Sequence, residues 1–182
     1  AVTFVDTHDL ISARYAKHLS HGVDDAIALT AMEEKGILES FNYTICIQKH
    51  EYQQVCKWLG RERCIYAPHA IDAKVRLVRE KVTNIGFVAS AWHANVYGLK
   101  HFLNHIWPEL KSLNVTLHVF GLIFQSFKTY HDERVIFHGL VDDLIASYAS
   151  VDLMINPVYY GAGMKVKTIE ALAFGVPIVT TM

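Results

Sequence analysis

Apolar residues in this chain gather in short blocks, and the spacing inside the blocks switches repeatedly between strand-like and helical. Val2-Thr-Phe-Val5 is a compact apolar run that ends in the polar Asp6-Thr-His-Asp9, which predicts a buried strand and a loop at its end. From Ile11 to Leu19 and from Val23 to Leu38 the apolar positions recur at the helical period. Tyr43-Thr-Ile-Cys-Ile47 is rich in β-formers and predicts a strand. Lys49 to Leu59 predicts a helix stopped by Gly60, and Cys64-Ile-Tyr-Ala67 a short strand ended by Pro68. Residues 72–82 are charged and read as a linker, although Ala73 to Lys81 fits a helical connector equally well.

After this stretch strands and helices alternate. Ile85 to Ala89 is a short apolar run, and Gly98 to Ser112 is helical with Pro108 as a break or kink. Val115 to Phe120 and Val135 to His138 predict strands, Leu144 to Ala149 a helix, and Leu153 to Asn156 a strand. The run Gly161-Ala-Gly-Met-Lys-Val-Lys-Thr-Ile-Glu-Ala-Leu-Ala-Phe-Gly-Val-Pro-Ile-Val179 predicts a glycine-flanked loop and a helix from near Met164 to a stop at Gly175. Ile178-Val179-Thr180 then reads as a buried strand. Such alternation predicts an α/β fold with parallel pairing, helices on both faces and right-handed crossovers. The expected organisation is a partial N-terminal α/β domain over residues 1–72, a linker over 73–83, and a doubly wound, mostly parallel Rossmann-like domain over 84–182. The chain opens inside one strand and stops just after another, which reads as a cut through both domains.

Composition narrows the function classes. Hydrophobic residues make up 52% of 182, ample for a buried core. A net charge of −1, from 17 basic and 18 acidic residues, argues against a general nucleic-acid or anionic-membrane surface. No apolar stretch approaches the roughly 20 residues of a spanning helix. Cys46, Cys56 and Cys64 form no CxxC pair and read as reduced, buried thiols, with zinc as the minor alternative because His50 and His69 lie near, at a spacing that fits no closed site. The chain has no Gly-x-Ser-x-Gly elbow, no Walker loop and no Asp-x-Asp metal pair.

The chemistry concentrates in the last forty or so residues. A flexible loop opening into a helix offers backbone N–H groups and the positive end of a dipole, an anion site that suits phosphate. Lys165 and Lys167 add positive charge, about 200° apart if both are helical. Glu170, on the face of Lys167, is placed to accept hydrogen bonds from two ribose hydroxyls. Ligands of such sheets bind outside the carboxyl ends of the strands. The loops expected to converge there are Ser90–Tyr97, Gly121–Phe124, Gly139–Asp142 and Pro157–Gly163. Asn95 reads as the cap of the following helix, His93 as loop surface, and Lys100 as the only other basic residue near. At the first strand end, Asp6 or Thr7 reads as a helix cap, and His8 is either exposed or turned to a ligand crevice.

Gly161, Gly163, Lys165, Lys167, Glu170, Ala171, Gly175 and Pro177 together resemble the nucleotide-sugar signature of retaining glycosyltransferases with two Rossmann-like domains (the GT-B fold), family 4-like, group 1. The resemblance extends through Val135–Asp142 and Ala149–Pro157 and, more loosely, to Val5–Asp9. Many members carry a second glutamate eight positions before the last one; here that position is Ala162, and the chain follows a Gly-x-Gly-x-Lys-x-Lys variant. The resemblance implies transfer of a sugar from a nucleoside-diphosphate sugar to an acceptor hydroxyl, with retention of configuration. It implies donor contacts at Gly139, Leu140, Val141, Gly161, Ala162, Gly163, Met164 and Glu170, with the Gly139–Val141 turn at the base edge. It implies catalytic roles for Lys165 and Lys167 at the leaving diphosphate and for His8 at the donor sugar or acceptor. No metal and no cofactor besides the donor substrate are expected. The acceptor would be a carbohydrate, a lipid or a small molecule, with no nucleic-acid partner. The place of action would be the cytoplasm or the inner membrane face, through regions outside this chain. Two alternatives share the architecture: a nucleotide-sugar epimerase, and a non-catalytic subunit that binds a nucleotide or a partner.

Overall fold

The computed structural model describes every residue except His21, Asp24–Ala26, Val75, Leu77, Val78, Ala162 and Met182. It forms two compact units, Ala1–Ala70 with Tyr160–Lys165, and Ile71–Tyr159 with Val166–Met182.

The first unit holds β1 (Phe4–Thr7), α1 (Ile11–Ser20), α2 (Ala31–Glu39), β2 (Tyr43–Cys46), α3 (Lys49–Leu59) and β3 (Cys64–Tyr66). The strands form a parallel sheet in the order β1-β2-β3. Leu10, Leu38, Cys46, Val55 and Leu59 make its core. The helix expected from Val23 starts only at Ala31; Asp24–Ala26 lie outside the described residues. The apolar period continues upstream, but Thr30 closes a capping box with Glu33 and sets the boundary. The start of α1 is capped from a distance. The Glu34 carboxylate accepts from Ile11 N–H at 2.7 Å and Ser12 N–H at 2.9 Å, and buried Glu51 accepts from Leu10 N–H at 3.2 Å. Neither Asp6 nor Thr7 is therefore the cap: the Thr7 hydroxyl donates to Ile45 O at 3.0 Å, and the neighbouring Asp9 pairs with Arg14 at 3.1 Å. The three cysteines are free, with Cys46 buried and Cys56 and Cys64 partly so.

The second unit holds β4 (Asn84–Val88), α4 (His93–His101), β5 (Thr116–Phe120), β6 (Val135–Gly139), α5 (Leu144–Ser150), β7 (Leu153–Asn156), α6 (Val166–Ala173) and β8 (Ile178–Thr180). The strand order is β6-β5-β4-β7-β8, parallel throughout. The chain winds outward from β4 to β6, then crosses to β7 and β8, so the order reverses between β4 and β7, a doubly wound arrangement. Only Ile85 and Gly86 pair with β7. Asp152 reinforces that junction, accepting from the N–H groups of Thr83 and Asn84 at 2.8 Å each and from Arg79.

α4 begins five residues before the expected Gly98 and runs on into a π turn, Phe102–Ile106, and a 3-10 turn, Trp107–Leu110. Gly98 is no boundary but a contact: a Cβ there would lie 2.5 Å from Pro157 O. Pro108 occupies the start of the 3-10 turn, where a missing N–H is tolerated. No described residue of 72–82 is helical; Lys74 N–H donates to Ala173 O of α6 at 2.6 Å, and Arg76 donates to Tyr148 O of α5 at 3.0 Å. Among the described residues no helix is long and apolar enough to cross a membrane.

Candidate functional site

The carboxyl ends of β4, β5 and β6 are stitched together. Ala89 N–H donates to Phe120 O at 2.9 Å, and Gly121 N–H donates to Gly139 O at 2.6 Å. Gly121 has φ +98°, and a Cβ there would stand 2.3 Å from Ala89 O, so this crossing accepts glycine alone. Gly139, at φ +72°, turns the chain out of β6. Beyond these ends opens a cavity of about 440 Å³. Val88–Ser90, Gly121 and Leu122, Leu140 and Val141, Leu144 and Val166 form its walls, and Asn95 with Lys167 and Glu170 of α6 its polar side.

α6 is set by its ends. At its C-terminus Val176 N–H reaches back to Ala171 O at 2.8 Å and Gly175 N–H to Leu172 O at 3.1 Å, with Gly175 left-handed at φ +68°. Its first turn presents N–H groups that no earlier helical carbonyl accepts. The Lys167 ammonium donates to Asn95 Oδ1 at 2.6 Å and sits 5.1 Å from the Phe87 ring centre. Buried Asn95 in turn donates to Ser90 O at 3.2 Å and Ser90 Oγ at 3.3 Å. Glu170 accepts from the Tyr148 hydroxyl at 2.9 Å. Burial, and then the Glu170 charge, push the Tyr148 phenol well above its usual pKa, so it is a donor at any working pH. The cavity thus combines a held cation, an acceptor-only carboxylate, a helix N-terminus and apolar walls, a set that suits an anionic, hydroxylated ligand with a flat apolar part.

Four of the expected site residues, Leu140, Val141, Lys167 and Glu170, line this one cavity, and Gly139 immediately precedes it. Gly161, Gly163, Met164, Lys165 and His8 belong to the first unit, and Ala162 lies outside the described residues. There, buried Tyr160 sets its ring edge-on to His18 at 5.4 Å. Gly161 and Gly163 take φ +134° and +88°, and a Cβ on Gly163 would come within 3.2 Å of Asp9 Cβ and 3.4 Å of His8 O. His8 itself is exposed. The pKa of Lys165 is lowered, by partial desolvation first and by Lys17 second.

Several expectations change. α6 starts at Val166, not near Met164, so Lys165 precedes the helix and the angular argument about the two lysines does not apply. Asn95 is the third residue of α4 and does not cap it; Trp92 holds that place without a side-chain bond. Three of the four predicted loops line the cavity, whereas no described residue of Pro157–Gly163 is among its lining. Lys100 lines a different, smaller cavity beside Tyr130. Tyr148 gives no signal in the sequence, because a tyrosine at a helical apolar position looks like core and its partner is 22 residues away.

The sequence profile of the family described as Glycosyl transferases group 1 matches residues 82–182. No curated protein sequence matches the chain. Similar solved structures include TarM of S. aureus, at 16% identity and TM-score 0.64 over 99% of this chain and 36% of that one. The pneumococcal O-GlcNAc transferase GtfA, in complex with UDP and GlcNAc, is 12% identical with TM-score 0.67 over 97% and 37%. Anabaena Alr3699/HepE, in complex with UDP, is 14% identical with TM-score 0.60 over 97% and 52%. At these identities the likeness is one of fold. The chain spans between 36% and 52% of the length of these proteins.

Proposed function

Because the chain belongs to the group 1 glycosyltransferases, we propose that its second unit binds the nucleoside-diphosphate part of a nucleotide sugar, and that the whole protein transfers the sugar to an acceptor hydroxyl. The observation that carries this reading is the pair Lys167 and Glu170, side by side on α6 in the cavity at the carboxyl ends of β4–β6. The UDP complexes of proteins with this fold support a nucleotide sugar as donor.

In this reading the Glu170 carboxylate accepts the ribose hydroxyls, and Leu140 and Val141 flank the base. Lys167 and the N-terminal end of α6 face the diphosphate. In the reaction the bond between the anomeric carbon and the diphosphate oxygen breaks, and its electron pair leaves with the diphosphate. The acceptor oxygen bonds to the same carbon and gives its proton to the departing phosphate. Same-face attack retains configuration. The cation and the helix dipole stabilise charge that grows on the leaving group, which is the main lever on the rate. The family resemblance adds roles for Gly161, Gly163, Met164 and Lys165 at the diphosphate and for His8 at the sugar or the acceptor. The setting is cytoplasmic carbohydrate biosynthesis, with no metal required.

Calorimetry with uridine, guanosine and adenosine diphosphates tests the reading. At least one should bind, and Glu170→Gln should weaken it by about 1–3 kcal/mol, since a charged acceptor is replaced by a neutral one. Equal affinities in folded wild type and variant overturn the ribose assignment.

A further inference from the structure

We propose that Tyr148 is a positioning residue for nucleotide recognition, holding the Glu170 carboxylate in the orientation that accepts the ribose hydroxyls. This rests on the reading of Glu170 given above.

A glutamate on a helix beside an open cavity samples many rotamers, and each must be frozen when a ligand arrives. Glu170 is already anchored. The Tyr148 side chain is fully buried, and its ring packs among Phe120, Val151, Met154 and Ala171 and against Phe174 at 5.0 Å between centroids. A ring held on all sides delivers its hydroxyl to one place. That hydroxyl lies 2.9 Å from Glu170 Oε2 and 3.3 Å from Lys167 O. It has one proton, and the nearer, charged acceptor takes it, forming a charge-assisted bond. An ionised carboxylate offers about four acceptor positions, so one oxygen is anchored while the other keeps its full capacity for the ligand. The anchor comes from α5 and the carboxylate from α6, so the bond also fixes the height of Glu170 against the sheet.

The test uses the full chain, the diphosphate among the three that binds best, and the 2′,3′-dideoxy form of that nucleotide. Wild type should prefer the ribonucleotide. Tyr148→Phe keeps the ring and removes the donor; it should reduce that preference about tenfold, the effect of losing one charge-assisted hydrogen bond, and leave dideoxynucleotide affinity unchanged. In a Glu170→Ala background the same substitution should change nothing further, because its effect passes through the carboxylate. Should Tyr148→Phe fail to fold, ¹³Cζ-tyrosine NMR of the wild type replaces it: the Tyr148 resonance should shift with the ribonucleotide and stay with the dideoxy form. An unchanged preference in Tyr148→Phe, an equal loss for both nucleotides, or equal shifts overturns the proposal and leaves the ribose reading standing. A wild type that binds none of the diphosphates, or does not distinguish the two forms, overturns the ribose reading and the proposal with it.

Discussion

Gly121 and Asp152 show how far single residues set the second unit. At Gly121 both the left-handed φ and the 2.3 Å approach of a notional Cβ to Ala89 O oppose any side chain. Gly121→Ala should destabilise by about 1–3 kcal/mol, as strain and overpacking do, measured by chemical denaturation. Asp152 acts through charge. Burial alone would raise its pKa, but the N–H groups of Thr83 and Asn84, the Thr83 hydroxyl and Arg79 together hold it well below the carboxylate range. A folded-state pKa below the unfolded one contributes stability that is complete above about pH 4 and is lost as pH falls further. Asp152→Asn should therefore lower stability at pH 7 and flatten the acid limb of the stability profile. An unaltered acid limb would show that the carboxylate is not the group responsible.

Between elements, β4, β5 and β6 share a second polar device on the face that carries Phe120. His118 bonds Asn84 Oδ1 through Nε2 at 3.0 Å and His138 Nε2 through Nδ1 at 2.9 Å. With Asn84 as acceptor, His118 carries its proton on Nε2, so its Nδ1 must accept from His138. Protonation of His118 removes that acceptor. Both pKa values are depressed, His118 by burial and then by His138, and His138 by burial. The sign follows: stability is complete above about pH 6.5 and falls as the solution is acidified below it. Denaturation midpoints should drop between pH 7.5 and 5.5, and His118→Gln should shrink the drop. An equal drop in both proteins assigns the acid sensitivity elsewhere.

At the scale of the molecule, a net charge of −1 provides no general attraction for an anionic ligand, so any diphosphate must be met locally. In the proposed reading the cation and helix end in the cavity fill that role, and nucleotide affinity should be the same in excess chelator as with magnesium. A tenfold loss in chelator, restored by magnesium or manganese, would contradict the proposed chemistry.

Local signals were enough for much of this protein. α3 follows its period and Gly60 in both bounds, β7 and β8 fall on their apolar runs (β8 as an edge strand with Val179 exposed, not the buried strand expected), and the Lys167–Glu170 spacing already puts both on one face of a helix. These depend on neighbours within a few residues, and that is what a sequence displays. The start of α2 was also local but was overridden, since a capping box outranks a continuing apolar period. Tertiary structure decided the rest. Gly98 looks like a boundary until Pro157 is seen against it. Asn95 looks like a cap until Lys167, 72 positions away, is found on its oxygen. The cap of α1 comes from Glu34, 23 positions from Ile11. A buried polar group must find a partner, and the fold alone determines which distant residue supplies it.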